Sequence, residues 1–309
     1  MADNPQFQVY KGDGSTIQER NISLPSYEKL TRMDAPKGYV AAPPLRDAVN
    51  VAIALGQPLL LTGEPGTGKT RLAYSIAYEL NMGDPLVFHT KTTSSARDLF
   101  YRYDSLGHFH DAQLKDKNEI NIKDYITYEA MGKAIIKSKE SRSIVLIDEI
   151  DKAPRDLPND ILNELENMEF TVKETGEKFE ANKPNRPILI LTSNSEKNLP
   201  DAFLRRVVYY HIPFPDKETL EQIIRNRLNL SDTFRDRMLS DAISHFIDIR
   251  KTKGLRKPPA TAELLSWIHI LDRHNIDINT DVEGEIKKLA MSYSILAKNK
   301  EDLEKLKRD

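Results

Sequence analysis

Residues 58 to 80, PLLLT-GEPGTGKT-RLAYSIAYEL, constrain the fold more than any other part of this chain. PLLLT is short and apolar without polar alternation, which predicts a strand buried on both faces. It runs into a glycine-rich loop and then into a helical period. There Leu72, Ala73, Ile76, Ala77 and Leu80 share one face, and Asn81-Met82-Gly83 ends the helix. Gly63, Gly68, Lys69 and Thr70 match G-x-x-x-x-G-K-[ST]. The chemistry explains the spacing. A loop that wraps a phosphate aims several backbone N–H groups inward, and glycines permit the φ values and close approach this needs. The helix starting near Lys69 adds the positive end of its dipole. The expected nucleotide-binding segment is therefore Gly63, Glu64, Pro65, Gly66, Thr67, Gly68, Lys69, Thr70 and Arg71. Lys69 is expected to reach the β- and γ-phosphates, and the Thr70 hydroxyl to ligate Mg²⁺. A plain strand-to-helix turn is the bland alternative, but the buried strand before and the helix after are the context a phosphate cradle requires.

Four further strands are expected at LVFHT (86–90), SIVLI (143–147), PILILTS (187–193) and VVYYHI (207–212). Apolar strands separated by helical segments predict an α/β fold, a parallel sheet covered on both faces. LRDAVNVAIAL, 45–55, reads as a helix stopping at Gly56. Beyond PFPD, 213–216, the period is helical throughout: ETLEQIIRNRL, DRMLSDAISHFIDIR, TAELLSWIHILDRH and EIKKLAMSYSILAKNKEDLEKL. Three parts are expected: a polar, turn-rich arm over 1–38, an α/β nucleotide-binding core over 39–215, and a helical lid over 216–309.

Carboxyl ends of parallel strands face the ligand crevice. SIVLI ends there in Asp148 and Glu149, with Asp151 beyond. Asp148 is expected to hold Mg²⁺ through water. Glu149 is expected to polarise a water for attack on the γ-phosphate, a role that favours hydrolysis over phosphoryl transfer to a metabolite. Acids at such a place also cap helices, so the pair gains force only with the loop upstream. Asn194, at the tip of PILILTSNS, is either a partner of the water or γ-phosphate or a turn residue. Arg205 and Arg206 follow a helical stretch, where arginines also serve the helix dipole. Arg256 and Lys257 precede a proline-started helix.

Taken in order, the cradle, IDEID, TSN, LRR and a helical tail resemble the AAA+ ATPases over about residues 40 to 300. That resemblance implies a P-loop NTPase sheet of order 5-1-4-3-2, sandwiched by helices and followed by an all-α lid, with ATP and Mg²⁺ between them. It implies that Asp148 and Glu149 are the Walker B pair and Asn194 is sensor 1. It makes Arg206, or Arg205, an arginine finger serving a neighbouring subunit, and Arg256 or Lys257 the sensor 2. Within AAA+, the chain is similar to the MoxR-like group, of the helix-2-insert clade. RYDSLGHFHDAQ (102–113) reads as one hairpin insertion, and FTVKETGEKFEA (170–181) as another, turning at Thr175-Gly176. The resemblance implies a ring, expected to be a hexamer. It also implies chaperone-like maturation of a client protein, with von Willebrand factor A domain proteins one client class.

Two other functions stay open at this stage. One is a nucleic-acid-directed translocase, with Lys173 and Lys178 on the second hairpin, although Glu174, Glu177 and Glu180 balance them. The other is a nucleotide-gated binding module with little turnover, which Glu149 argues against. The 45 basic and 47 acidic residues leave a net charge of -2, which gives no bulk attraction to nucleic acid or membrane. There is no cysteine, hence no thiol chemistry. MADNPQFQVY has no apolar core of signal-peptide length, and a cytoplasmic location is expected. ATP is the expected nucleotide, on the resemblance to the AAA+ ATPases. Trp267 with Leu264, Leu265 and Ile268 is expected to form lid core, and His108 and His110 lack a third metal ligand.

Overall fold

A computed structural model describes residues 10, 12, 14, 36–114, 120–195, 199–252, 254–280 and 282–307. The expected arm, 1–38, lies outside the described residues apart from 10, 12, 14 and 36–38. The chain divides into two compact units. One is Ala41–Phe214; the other joins the described residues up to Val40 to those from Pro215 onward.

The first unit is built on five parallel strands: β1 (Leu59–Thr62), β2 (Leu86–His89), β3 (Ile144–Asp148), β4 (Ile188–Thr192) and β5 (Val208–His211). Their order is β2-β3-β4-β1-β5, which is the expected 5-1-4-3-2 seen from the other edge. The three central strands carry the apolar runs because both their faces are covered. Every residue of β1 and β4, and Ile144 to Ile147 of β3, is buried. The edge strands β2 and β5 are less covered, with Phe88 of β2 their one buried residue. Register fixes the site. Leu59 lies beside Val208 and Thr62 beside His211, so the residues after β1 and after β5 emerge together.

Helix α1 (Pro43–Leu55) ends at Gly56, whose φ of 63° is the left-handed conformation that closes a helix. Helix α2 (Lys69–Glu79) buries Leu72, Ala73, Ile76 and Ala77. Leu80, expected on the same face, is 43% exposed, because the helix stops at Glu79 and Asn81 turns the chain at φ 52°.

The hairpin expected over 102–113 is not there. Tyr101–Tyr103 pairs antiparallel with Ile126–Tyr128, and a helix, Ser105–Leu114, lies between them. Asp104 Oδ1 accepts the Gly107 N–H at 2.9 Å and starts a helix inside the stretch expected to fold back on itself, so the strand partner comes from farther along the chain. The second insertion is a hairpin, Glu169–Thr171 with Lys178–Glu180. It turns at Gly176, whose φ is 72° and whose N–H reaches Val172 O at 2.8 Å.

The two insertions are bonded into one block. The Phe170 ring stacks on Phe100 and Phe179, at 5.3 and 5.1 Å between centroids, and Tyr128 meets Phe179 edge-on at 5.5 Å. A salt bridge from Lys123 to Glu177, at 2.9 Å, ties their rims.

The second unit contains the helices Lys217–Arg227, Asp232–Arg237, Leu239–Thr252, Thr261–Arg273, Glu283–Ser292 and Lys300–Lys307, with no strand among the described residues. Its core includes Trp267, Leu264, Leu265 and Ile268, with Trp267 donating to Ser292 Oγ at 2.8 Å. The last helical stretch is two helices rather than one. Asn299 Oδ1 accepts the Asp302 N–H at 2.8 Å and starts the second of them. Among the described residues, no helix is long and apolar enough to cross a membrane.

Candidate functional site

Gly63, Gly66 and Gly68 have φ of 144°, 78° and 92°, so the loop between β1 and α2 runs through conformations that glycine adopts freely. Gly63 has a second reason. A Cβ there would lie 2.5 Å from the backbone oxygen of Ile212, whose N–H donates to Thr62 O at 2.8 Å. The end of β5 is thus pressed against the loop. Lys69 opens α2 and is buried, with Nζ donating to Gly63 O at 2.7 Å and Glu64 O at 2.9 Å. Burial pulls its ammonium below the ordinary lysine value, and the carboxylates of Asp151, Asp148 and Glu149 offset part of that.

The carboxyl ends of β3 and β4 meet the same loop. Thr70 Oγ1 donates to Asp148 Oδ1 at 2.9 Å, and Thr192 Oγ1 donates to the same oxygen at 2.6 Å. The Thr192 hydroxyl also accepts the Glu149 N–H at 2.9 Å. Glu149 sits at φ 57°, a left-handed backbone that costs a non-glycine residue roughly 1–3 kcal/mol. Its carboxylate is held on both sides: Asn194 Nδ2 donates to Oε1 at 3.4 Å, and Lys152 Nζ to Oε2 at 2.5 Å. The Asn194 N–H reaches Asp151 Oδ1 at 3.2 Å. Lys69, Thr70, Asp148, Glu149, Asp151 and Asn194 therefore converge. Thr192, Lys152 and Ile212 join them without having been singled out in the sequence. Thr192 had a visible signal, a hydroxyl closing an otherwise apolar strand. Lys152 had only its place three residues after Glu149.

The arginines lie elsewhere. Arg205 and Arg206 follow the short helix Asp201–Leu204 and precede β5. They line a cavity of about 360 Å³ together with Gly56, Pro58, Phe203 and Arg186. Those positions are at the amino ends of β1 and β5, whereas the glycine loop is at the carboxyl end of β1. Four residues of strand, about 13 Å at ~3.3 Å per residue, separate the two ends. Arg206 Nε pairs with Glu166 Oε1 at 2.5 Å. In the helical unit, Arg256 pairs with Glu301 at 2.9 Å, and the backbone N–H groups of Arg256 and Lys257 donate to Asp302 at 2.9 and 3.1 Å. Their helix begins later than the prolines implied, at Thr261.

Residues 58–207 match the AAA domain (dynein-related subfamily). The match runs from the residue before β1 to the residue before β5, and contains the loop, Asp148, Glu149, Asn194, Arg205 and Arg206. It supports nucleotide binding and ATPase activity of the AAA+ class. Two curated relatives are Lon proteases. That of Mycoplasmopsis agalactiae is 33% identical over 161 residues, 48% of this chain. That of Finegoldia magna is 29% identical over 201 residues, 62% of this chain. The chain spans 14% and 23% of the length of those two proteins.

Proposed function

We propose that this chain hydrolyses ATP within a ring of its own copies and uses the resulting movement to remodel a client protein. The observation that carries the chemistry is the junction at Asp148. One carboxylate oxygen receives hydroxyls from the loop helix and from β4, and the next residue is a glutamate held by Asn194 and Lys152.

The triphosphate of ATP would replace the Gly63 and Glu64 carbonyls as the acceptor of Lys69. Thr70 and Asp148 supply the hard oxygen ligands that suit Mg²⁺, Asp148 through water. Held by those residues, Mg²⁺ would supply positive charge against the phosphate oxygens. Asn194 holds Glu149 by Oε1, and Glu149 takes a proton from the attacking water. Arg206, at the opposite end of β1 from its own loop, is assigned to the nucleotide of a neighbouring copy, with Arg205 beside it.

The MoxR-like reading, with a protein client, is favoured by the insertions. The helix Ser105–Leu114 exposes Leu106, Phe109 and Leu114 by 77%, 62% and 71%. Apolar side chains gathered in solvent fit a protein contact. Two lysines of this block are neutralised, Lys178 by Glu169 at 2.8 Å and Lys123 by Glu177, which weakens the case for nucleic acid. Hexameric stoichiometry and a von Willebrand factor A domain client rest on the MoxR-like resemblance alone.

The test is the ATPase rate per chain as a function of protein concentration, with and without single- and double-stranded DNA. The rate is expected to rise with concentration to a plateau and to ignore DNA. A rate independent of concentration would contradict the ring. Stimulation by DNA would replace the protein client with a nucleic-acid track.

A further inference from the structure

Arg206 is not idle in the single chain. Its Nε meets Glu166 Oε1 at 2.5 Å, and its Nη1 donates to Ala202 O at 3.3 Å. The two charged side chains are 45% and 52% exposed, so the pair sits at the surface and is open to exchange. Glu166 itself is fixed by its backbone. Arg186 Nη2 donates to the carbonyls of Leu165 and Glu166 at 3.2 and 3.0 Å, and Arg186 Nε to Gly56 O at 3.1 Å. This clamp anchors residue 166 to the turn that precedes β1. Glu166 also lies in the last turn of the helix Leu162–Asn167, where a negative charge opposes the helix dipole. The guanidinium of Arg206 meets that carboxylate directly, while Arg186 serves the carbonyls beside it.

We infer that Glu166 is a positioning residue for Arg206: it occupies the guanidinium until the triphosphate of a neighbouring copy takes its place. This rests on the assignment of Arg206 to a neighbour's nucleotide. A triphosphate carries several negative charges and several acceptor oxygens against the one carboxylate of Glu166, so it wins the exchange. Exposed ion pairs are individually weak, which makes the arrangement a bias on assembly rather than a lock. Glu166 thus sets how much protein and Mg-ATP are needed before the ring forms, and leaves the rate of the formed ring alone.

The experiment compares the wild-type chain with Glu166→Gln and Glu166→Asp, reading ATPase rate against protein concentration at saturating Mg-ATP. Glu166→Gln keeps the shape and removes the charge. Its half-maximal concentration is expected to fall about two- to fivefold with an unchanged plateau. Glu166→Asp, which keeps the charge, is expected to stay near wild type. A residue that only supports the fold would lower the plateau and the melting temperature without moving the midpoint downward. An unchanged or raised midpoint in Glu166→Gln overturns the inference. The underlying assignment is tested apart from it, by Arg206→Ala in both backgrounds. If Arg206→Ala retains full turnover, the trans role of Arg206 fails whatever Glu166→Gln does.

Discussion

Glu149→Gln is expected to keep Mg-ATP bound while turnover falls by about 10²- to 10⁴-fold, the range that general-base groups supply. The substitution isolates the proton. A glutamine has the same length and still offers Asn194 Nδ2 an oxygen in place of Oε1. Its backbone N–H keeps the Thr192 hydroxyl, so the left-handed turn at φ 57° survives. What it cannot do is accept a proton from water. Lys152 changes too. Its hydrogen bond to Glu149 holds its ammonium above the ordinary lysine value, and that support goes with the carboxylate. Lys152 is solvent-facing and finds water instead. Single-turnover phosphate release and binding of a fluorescent ATP analogue separate the two effects. An unchanged rate would remove Glu149 from its assigned role and turn attention to Asp151, which accepts the Asn194 N–H.

Arg206→Ala is expected to cost about 10³- to 10⁵-fold in turnover of the assembled protein, by analogy with arginines that stabilise phosphoryl-transfer charge in trans. Nucleotide binding by the isolated chain is expected to persist, because Arg206 and the glycine loop occupy opposite ends of β1. Arg205→Ala, a neighbour without the Glu166 pairing, is expected to cost less. A mixing experiment sharpens the claim. Arg206→Ala has an intact Glu149, and Glu149→Gln has an intact Arg206. Mixed rings place a complete set of groups at some of their interfaces, so two nearly inactive preparations should recover part of the wild-type rate when combined. No recovery, alongside proven co-assembly, would contradict action in trans.

The parts of this structure that were legible in the sequence are those whose signal is local. PLLLT, SIVLI and PILILTS read as strands because burial on both faces removes polar alternation, and β1, β3 and β4 are those segments. The glycine loop was legible because its positive-φ conformations at Gly63, Gly66 and Gly68 demand glycine at fixed spacing. The parts that were hidden depend on partners far along the chain. Tyr101–Tyr103 finds its strand partner at Ile126–Tyr128, beyond a helix, so the short stretch 102–113 carried no trace of the pairing. Thr192 acts on Asp148 only because β3 and β4 lie side by side, and they are 44 residues apart in sequence. Glu166 was anonymous among 47 acidic residues until the fold brought it to 2.5 Å from Arg206. The aromatic stack of Phe100, Phe170 and Phe179 joins two insertions that the sequence presents as separate.

The central claim is that residues 63 to 70 grip a triphosphate, and calorimetric titration of Mg-ATP into the purified chain and into Lys69→Met tests it most directly. Lys69 Nζ now rests on the Gly63 and Glu64 carbonyls, and methionine keeps the buried stem without the charge. Saturable binding by the wild-type chain and its loss in Lys69→Met is the predicted result. Absence of binding by the wild-type chain at every protein concentration, or equal affinity in both proteins, would contradict the account.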